Sequence, residues 1–222
     1  MHLQSASSGS MEALPLPFFP TMKLYYSPGA CSLSPQIVLQ ESGLAYEPVL
    51  ASTKTHQLQD GTDFYTINPL GYVPVLELDN GARLREGVAI VQYIADQVPD
   101  KKLAPANGSF ERYQLQEWLN FIATEVHKGF GPLFRPTTPE NYKPIAQAAL
   151  TQRLQWMDSQ LAGKDYLLGT QFSVADAYFF TVSRWCGFVG LDLSALKNIQ
   201  AFQQRMAQRP AVQAALKIEG QS

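Results

Sequence analysis

Lys23-Leu24-Tyr25-Tyr26-Ser27-Pro28-Gly29-Ala30-Cys31-Ser32 is the stretch that decides how this chain is read. Its apolar, aromatic opening (Leu24, Tyr25, Tyr26) predicts a short buried strand. Ser27-Pro28-Gly29 is turn chemistry: proline fixes φ and glycine permits the reversal. The segment that follows carries Leu33, Ile37, Val38 and Leu39 on one side and Pro35 in its first turn, which predicts a helix. Cys31 therefore stands at a strand-to-helix turn. Unpaired backbone N–H groups and the helix dipole favour a thiolate there. A free cysteine also serves as a small buried hydrophobe, and position alone leaves both readings open.

Outward from this turn, Glu41-Ser42-Gly43 stops the helix and Tyr46 to Leu50 reads as a second strand. Ala51 to Thr62 is a polar loop, and Asp63 to Ile67 is one helical turn at most. Asn68-Pro69-Leu70-Gly71 is a loop signal. Val73 to Leu78, Asp79-Asn80-Gly81 and Ala82 to Leu84 form a β-hairpin pattern. Glu86 to Gln97 is amphipathic through Val88, Val91, Ile94 and Ala95. The order is β-α-β-α-β-β-α. Pro99 to Gly108 breaks the composition and reads as a linker.

Beyond the linker the pattern is helical throughout. Phe110 to Lys128 has Trp118, Ile122 and Val126 on one stripe, and Ile145 to Leu161 has Leu150, Leu154, Met157 and Leu161. Gly131-Pro132-Leu133-Phe134-Arg135-Pro136 is expected to interrupt the helices between them. Ser173-Val174-Ala175-Asp176 is a capping box ahead of the apolar run Ala177 to Cys186, so Ser173 and Asp176 serve folding rather than catalysis. A further helix is expected over Ser194 to Gln208, before Arg209-Pro210.

The 222 residues are 45% apolar and 16% charged, a composition that builds a proper core. With a net charge of −2 and no dense Lys/Arg cluster, nothing points to nucleic acid or an anionic membrane. No apolar run approaches the roughly 20 residues a membrane span needs. Cys31 and Cys186 lie on differently patterned segments, so a disulfide is not expected and a reducing compartment fits; Cys186 reads as packing. Residues 1–21 resemble a vector-derived leader, with Met22 as the expected natural start.

The quoted turn, Asn68-Pro69-x-Gly71-x-Val73-Pro74, Glu86-Gly87-x-Ala89-Ile90, Glu125-Val126-His127-Lys128-Gly129-Phe130 and Ser173 to Tyr178 together resemble the cytosolic glutathione transferases in order and spacing. A cysteine at the first turn resembles the bacterial beta class. The likeness runs from Met22 to about Gly220. It implies an α+β thioredoxin-like N-terminal domain over residues 22–98, a linker over 99–108, and an all-helical C-terminal domain over 109–222 holding an electrophile pocket. It also implies a cytoplasmic homodimer and glutathione as co-substrate, with no metal.

By the same resemblance Val73 and a cis Pro74 pair with the glutathione backbone. Gly87, at a helix N-terminus, meets the γ-glutamyl carboxylate, and Glu86 meets the ammonium. Many relatives carry Ser where Gly87 stands, so one hydroxyl contact is absent. Asn120 matches a position that reaches glutathione across the dimer. His56 falls where the family often has a Lys for the glycyl carboxylate; Lys54 is read as a solvated loop residue. Cys31 and His127 are the implied catalytic pair, with Lys128 adding positive potential. Tyr26 and Ser27 are supporting hydroxyls. Tyr26, Phe130, Phe134, Tyr178 and Trp185 are candidates for the electrophile pocket.

Two chemistries follow. In conjugation, bound glutathione attacks an electrophilic carbon and Cys31 lines the site. In thiol-disulfide exchange, Cys31 forms a mixed disulfide with glutathione; Cys31-Ser32-Leu33-Ser34 lacks a second cysteine, which fits a monothiol route. A non-catalytic ligand carrier on the same fold is the third reading.

Overall fold

The computed structural model describes residues 22–221, and the expected leader, residues 1–21, lies outside them. Its first half is a four-stranded mixed sheet flanked by helices. Strand β1 (Met22–Tyr26) pairs in parallel with β2 (Tyr46–Leu50) and antiparallel with β3 (Val75–Glu77), which pairs antiparallel with β4 (Arg83–Leu84). The order is β2-β1-β3-β4. Helix α1 (Leu33–Ser42) links β1 to β2, and α2 (Gly87–Gln97) follows β4. Between β2 and β3 the only helical piece is a single tight turn, Phe64–Thr66, capped by the Asp63 carboxylate on the Tyr65 N–H at 2.9 Å.

The alternation of β1 sorts its side chains onto two faces. Leu24, with Leu76 beside it on β3, joins the main core, while Tyr25 and Val75 join a smaller cluster with Phe64, Ile67 and Val73. The main core is continuous with the helical half, running from Leu24 and Ile37 to Val126, Phe179 and Phe202.

That half comprises α3 (Phe110–Phe121), α4 (Lys128–Phe134), α5 (Lys143–Leu161), α6 (Val174–Ser183), α7 (Trp185–Phe188), α8 (Lys197–Ala207) and α9 (Pro210–Ile218). Helix α1 packs against α2, α6 and α9. Arg112, 3% exposed, fastens the halves by a bidentate pair with Asp96 of α2 at 2.8 and 2.9 Å and a bond to the Pro105 carbonyl at 3.1 Å.

Three boundaries differ from expectation. Strand β3 begins at Val75, after the cis Val73-Pro74 peptide, since a proline has no N–H to give to a strand ladder. The long helix does not end near Lys128: a π-turn at Ile122–His127 follows α3, and α4 continues to Phe134 with Pro132 inside it. The interruption therefore falls at Arg135, whose backbone is extended. Pro210 opens the further helix α9, since a first-turn proline loses no helical hydrogen bond. The capping box behaves as expected: Ser173 N–H and Oγ both donate to Asp176 at 2.8 Å, and so does the Leu167 N–H.

Candidate functional site

A cleft of about 700 Å³ opens where the β1–α1 turn faces the Val73-Pro74 peptide, the start of α2, and residues of α4, α6 and α7. Ser32 closes the turn: its hydroxyl donates to the Ser27 carbonyl at 3.2 Å and accepts from the Ser27 N–H at 3.1 Å. Gly29 adopts φ +76°, a conformation that favours glycine. Its peptide is held from the helical half at both ends. The N–H donates to Glu219 at 3.0 Å, and the carbonyl accepts from the Trp185 indole N–H at 2.9 Å.

Cys31 keeps part of its surface open, and its thiol donates to the Val73 carbonyl at 3.4 Å. Desolvation pushes the thiol up to about 12; Glu86 and Glu219 add to this and Lys128 opposes it. The expected thiolate is thus corrected: the sulfur is a thiol at pH 7. Cys31 precedes the first helical residue, Leu33, and the helix field does not outweigh burial there.

The Val73-Pro74 peptide is presented by the preceding turn. Asn68, 2% exposed, donates to the Tyr72 carbonyl at 2.7 Å, and the Gly71 N–H donates to the Asn68 carbonyl at 2.8 Å. Across the cleft, Gly87 begins α2. Glu86 precedes it with extended backbone and makes no side-chain cap, so the first N–H groups of α2 are free to meet an anion.

His127 ends the π-turn, and its Nδ1 lies 2.6 Å from the Tyr178 hydroxyl. Its ring stands edge-on to Trp185, with centroids 4.8 Å apart. Burial, with help from Lys128, lowers it to about 4. His127 is therefore neutral at pH 7 and supplies no positive charge to stabilise a Cys31 thiolate. Burial and the proximity of Cys31 raise Tyr178 well above the ordinary phenol range.

Cys31, Val73, Pro74, Glu86, Gly87, His127 and Lys128 come together on the cleft wall, as do Phe134, Tyr178 and Trp185. Other candidates do not. Phe130 is 0% exposed and sits in the core behind Trp185, centroids 5.6 Å apart. Tyr26 is buried away from the cleft, its hydroxyl donating to the Ile218 carbonyl at 3.4 Å. His56 stacks on Tyr65 at 4.6 Å outside the lining; from its loop it is Thr53 that lines the cleft, and Lys54 is exposed. Asn120 is exposed on α3, also outside the lining.

Arg85, Arg135, Phe188 and Glu219 were missed. Arg85 and Arg135, with Lys128 against Glu86, give the wall an excess of positive charge. Phe188 follows Trp185 by three residues, a spacing that places both on one helix face. Glu219 carried no local signal. Among the described residues no group of His, Cys, Asp and Glu is arranged to hold a metal, and no helix is long and apolar enough to cross a membrane.

The models of the glutathione S-transferase N-terminal and C-terminal domains match residues 20–96 and 121–210. Glutathione S-transferase GstA of Escherichia coli O157:H7 is 52% identical over 199 residues, 90% of this chain and 99% of the relative. BphK, a bacterial transferase solved as a ternary complex, superposes with a TM-score of 0.88 at 55% identity, covering 89% of this chain and 99% of its own. A sphingomonad glutathione S-transferase complexed with glutathione superposes with a TM-score of 0.87 at 46% identity, covering 90% and 100%. The chain therefore belongs to the glutathione S-transferase family. Within the family it falls with the bacterial beta class, and its general chemistry is glutathione transfer.

Proposed function

We propose that this protein conjugates reduced glutathione to small hydrophobic or halogenated electrophiles, in a detoxifying role, and that Cys31 can form a mixed disulfide with glutathione. The observation that carries this reading is the convergence on one cleft of Cys31, the cis Val73-Pro74 peptide and the uncapped start of α2. Glutathione has two carboxylates, one ammonium and an extended backbone. Val73 would pair with its cysteinyl backbone, the N–H groups from Gly87 with its γ-glutamyl carboxylate, and Glu86 with its ammonium. The positive excess from Arg85, Lys128 and Arg135 suits the net negative ligand. Phe134, Trp185 and Phe188 would form the apolar wall for the electrophile.

The protonated state of Cys31 in the free protein favours conjugation, in which the glutathione sulfur is the nucleophile, over exchange led by Cys31. We take residues 22–98 and 109–222 as the two domains, a homodimer in which Asn120 reaches the partner's ligand as the assembly, and the reducing cytoplasm as the compartment for free Cys31 and Cys186.

An assay pair tests this. With a chloronitroaromatic, the glutathione sulfur forms a bond to the ring carbon and chloride leaves. With glutathione disulfide, the Cys31 thiolate attacks one sulfur and a glutathione thiolate leaves. Cys31→Ala is expected to abolish the protein–glutathione adduct mass and to change conjugation far less. Loss of conjugation with glutathione binding intact would make Cys31 directly catalytic. Absence of binding and of both activities in the wild type would leave only the ligand-carrier reading.

A further inference from the structure

Three residues past Cys31, Ser34 carries a buried hydroxyl with no hydrogen-bond partner. The residue is 2% exposed, its Oγ finds no acceptor or donor among the described residues, and it lines the cleft. A buried polar atom left unpaired is unfavourable, and an alanine would fit the first turn of α1 without that penalty. The Ser34 N–H donates to the Cys31 carbonyl at 3.1 Å, and residues three apart in a helical turn share a face. The other hydroxyl of the turn, Ser32, is engaged on both sides by Ser27.

The Cys31 thiol donates a hydrogen bond to the Val73 carbonyl. That bond suits a thiol; a charged sulfur can only accept. In the glutathione-binding reading above, on which this inference rests, the ligand backbone competes for the same carbonyl. We propose that the Ser34 hydroxyl is the donor that receives the Cys31 sulfur when it becomes charged, so that Cys31-Ser32-Leu33-Ser34 works as one thiolate-binding turn. The charged and titratable groups around Cys31 are Glu86 before α2, Glu219 after α9, Lys128 at the start of α4, Tyr178 on α6 and His127 beside Tyr178. A change at Ser34 alters none of them.

The experiment follows mixed-disulfide formation with glutathione disulfide by intact mass, as a function of pH, alongside glutathione affinity. A hydrogen bond to a charged group shifts a pKa by about one unit, so Ser34→Ala is expected to move the profile about one unit higher and to slow adduct formation at pH 7 about threefold, the tenfold loss of thiolate being partly offset by its greater nucleophilicity, with affinity unchanged. A second variant, Ser34→Cys, tests reach. The Cys31–glutathione disulfide should be attacked by the newly introduced thiolate, which forms the internal disulfide and expels a glutathione thiolate. The product then lacks a hydrogen pair and carries no adduct. An unchanged profile in Ser34→Ala, or a lasting adduct in Ser34→Cys, would overturn the assignment and leave the binding reading standing. A wild type that neither binds glutathione nor forms the adduct would overturn both.

Discussion

Taking the solution from pH 7 to pH 5 is expected to destabilise this protein by about 2 kcal/mol through His127 alone. Burial lowers its folded value from 6.5 to about 4, so the native state holds the ring neutral while the unfolded chain takes up a proton near 6.5. A depressed folded value contributes stability that is present above pH 6.5 and is lost as pH falls through about 4. The whole window is therefore worth ~3 kcal/mol. Protonation also turns Nδ1 into an obligate donor, so the 2.6 Å pairing with the Tyr178 hydroxyl must be rebuilt with Tyr178 accepting. The assay is urea unfolding of the wild type and His127→Gln at both pH values, with the ring followed by NMR titration. The variant should lose about 2 kcal/mol less than the wild type on acidification. A ring that titrates near 6.5, or equal acid sensitivity in both proteins, would refute the reasoning.

Phe130 and Phe134 should separate stability from substrate handling. Phe130→Ala, in the core, should cost roughly 3–5 kcal/mol in denaturant unfolding. Phe134→Ala, at 45% exposed, should cost little stability and raise KM for an aromatic electrophile about fivefold. Arg112→Met leaves Asp96 without its bidentate partner and should cost about 2–3 kcal/mol, read as a fall in Tm of roughly 5–10 °C. Gly71→Ala, at φ +67° with a Cβ meeting His56 Nδ1 at 2.7 Å, should destabilise by roughly 1–3 kcal/mol in thermal melts.

The strand-turn-helix around Cys31, the hairpin and the helical stripes were legible because each is written in local chemistry: proline and glycine at the turn, alternation in the strands, apolar spacing in the helices. The wall formed by Val73, Pro74, Glu86 and Gly87 was legible only through the family resemblance. Protonation states were not. The neutral ring of His127 and the protonated sulfur of Cys31, where a thiolate was expected, both depend on how much water reaches them, and no motif encodes that. Phe130 and Phe134 looked alike because they stand one turn apart on the same face of α4, rings 6.1 Å apart; depth along that helix, which no local pattern shows, leaves Phe130 in the core and Phe134 at the cleft. His56 sits at the right count in its loop, yet φ +54° and Tyr65 carry it away from the cleft lining. Glu219 escaped notice because its partner, Gly29, stands 190 positions earlier.

The double grip on Gly29 orders events at the ribosome. Everything needed to shape the bend ahead of Cys31 emerges early, but the indole that steadies one end of its peptide comes 156 residues later and the carboxylate for the other end 190 residues later. A nascent chain can thus complete its sheet long before its reactive sulfur is properly seated. Trimming, or a fusion that displaces Glu219, would reach the chemistry from the far end of the polypeptide.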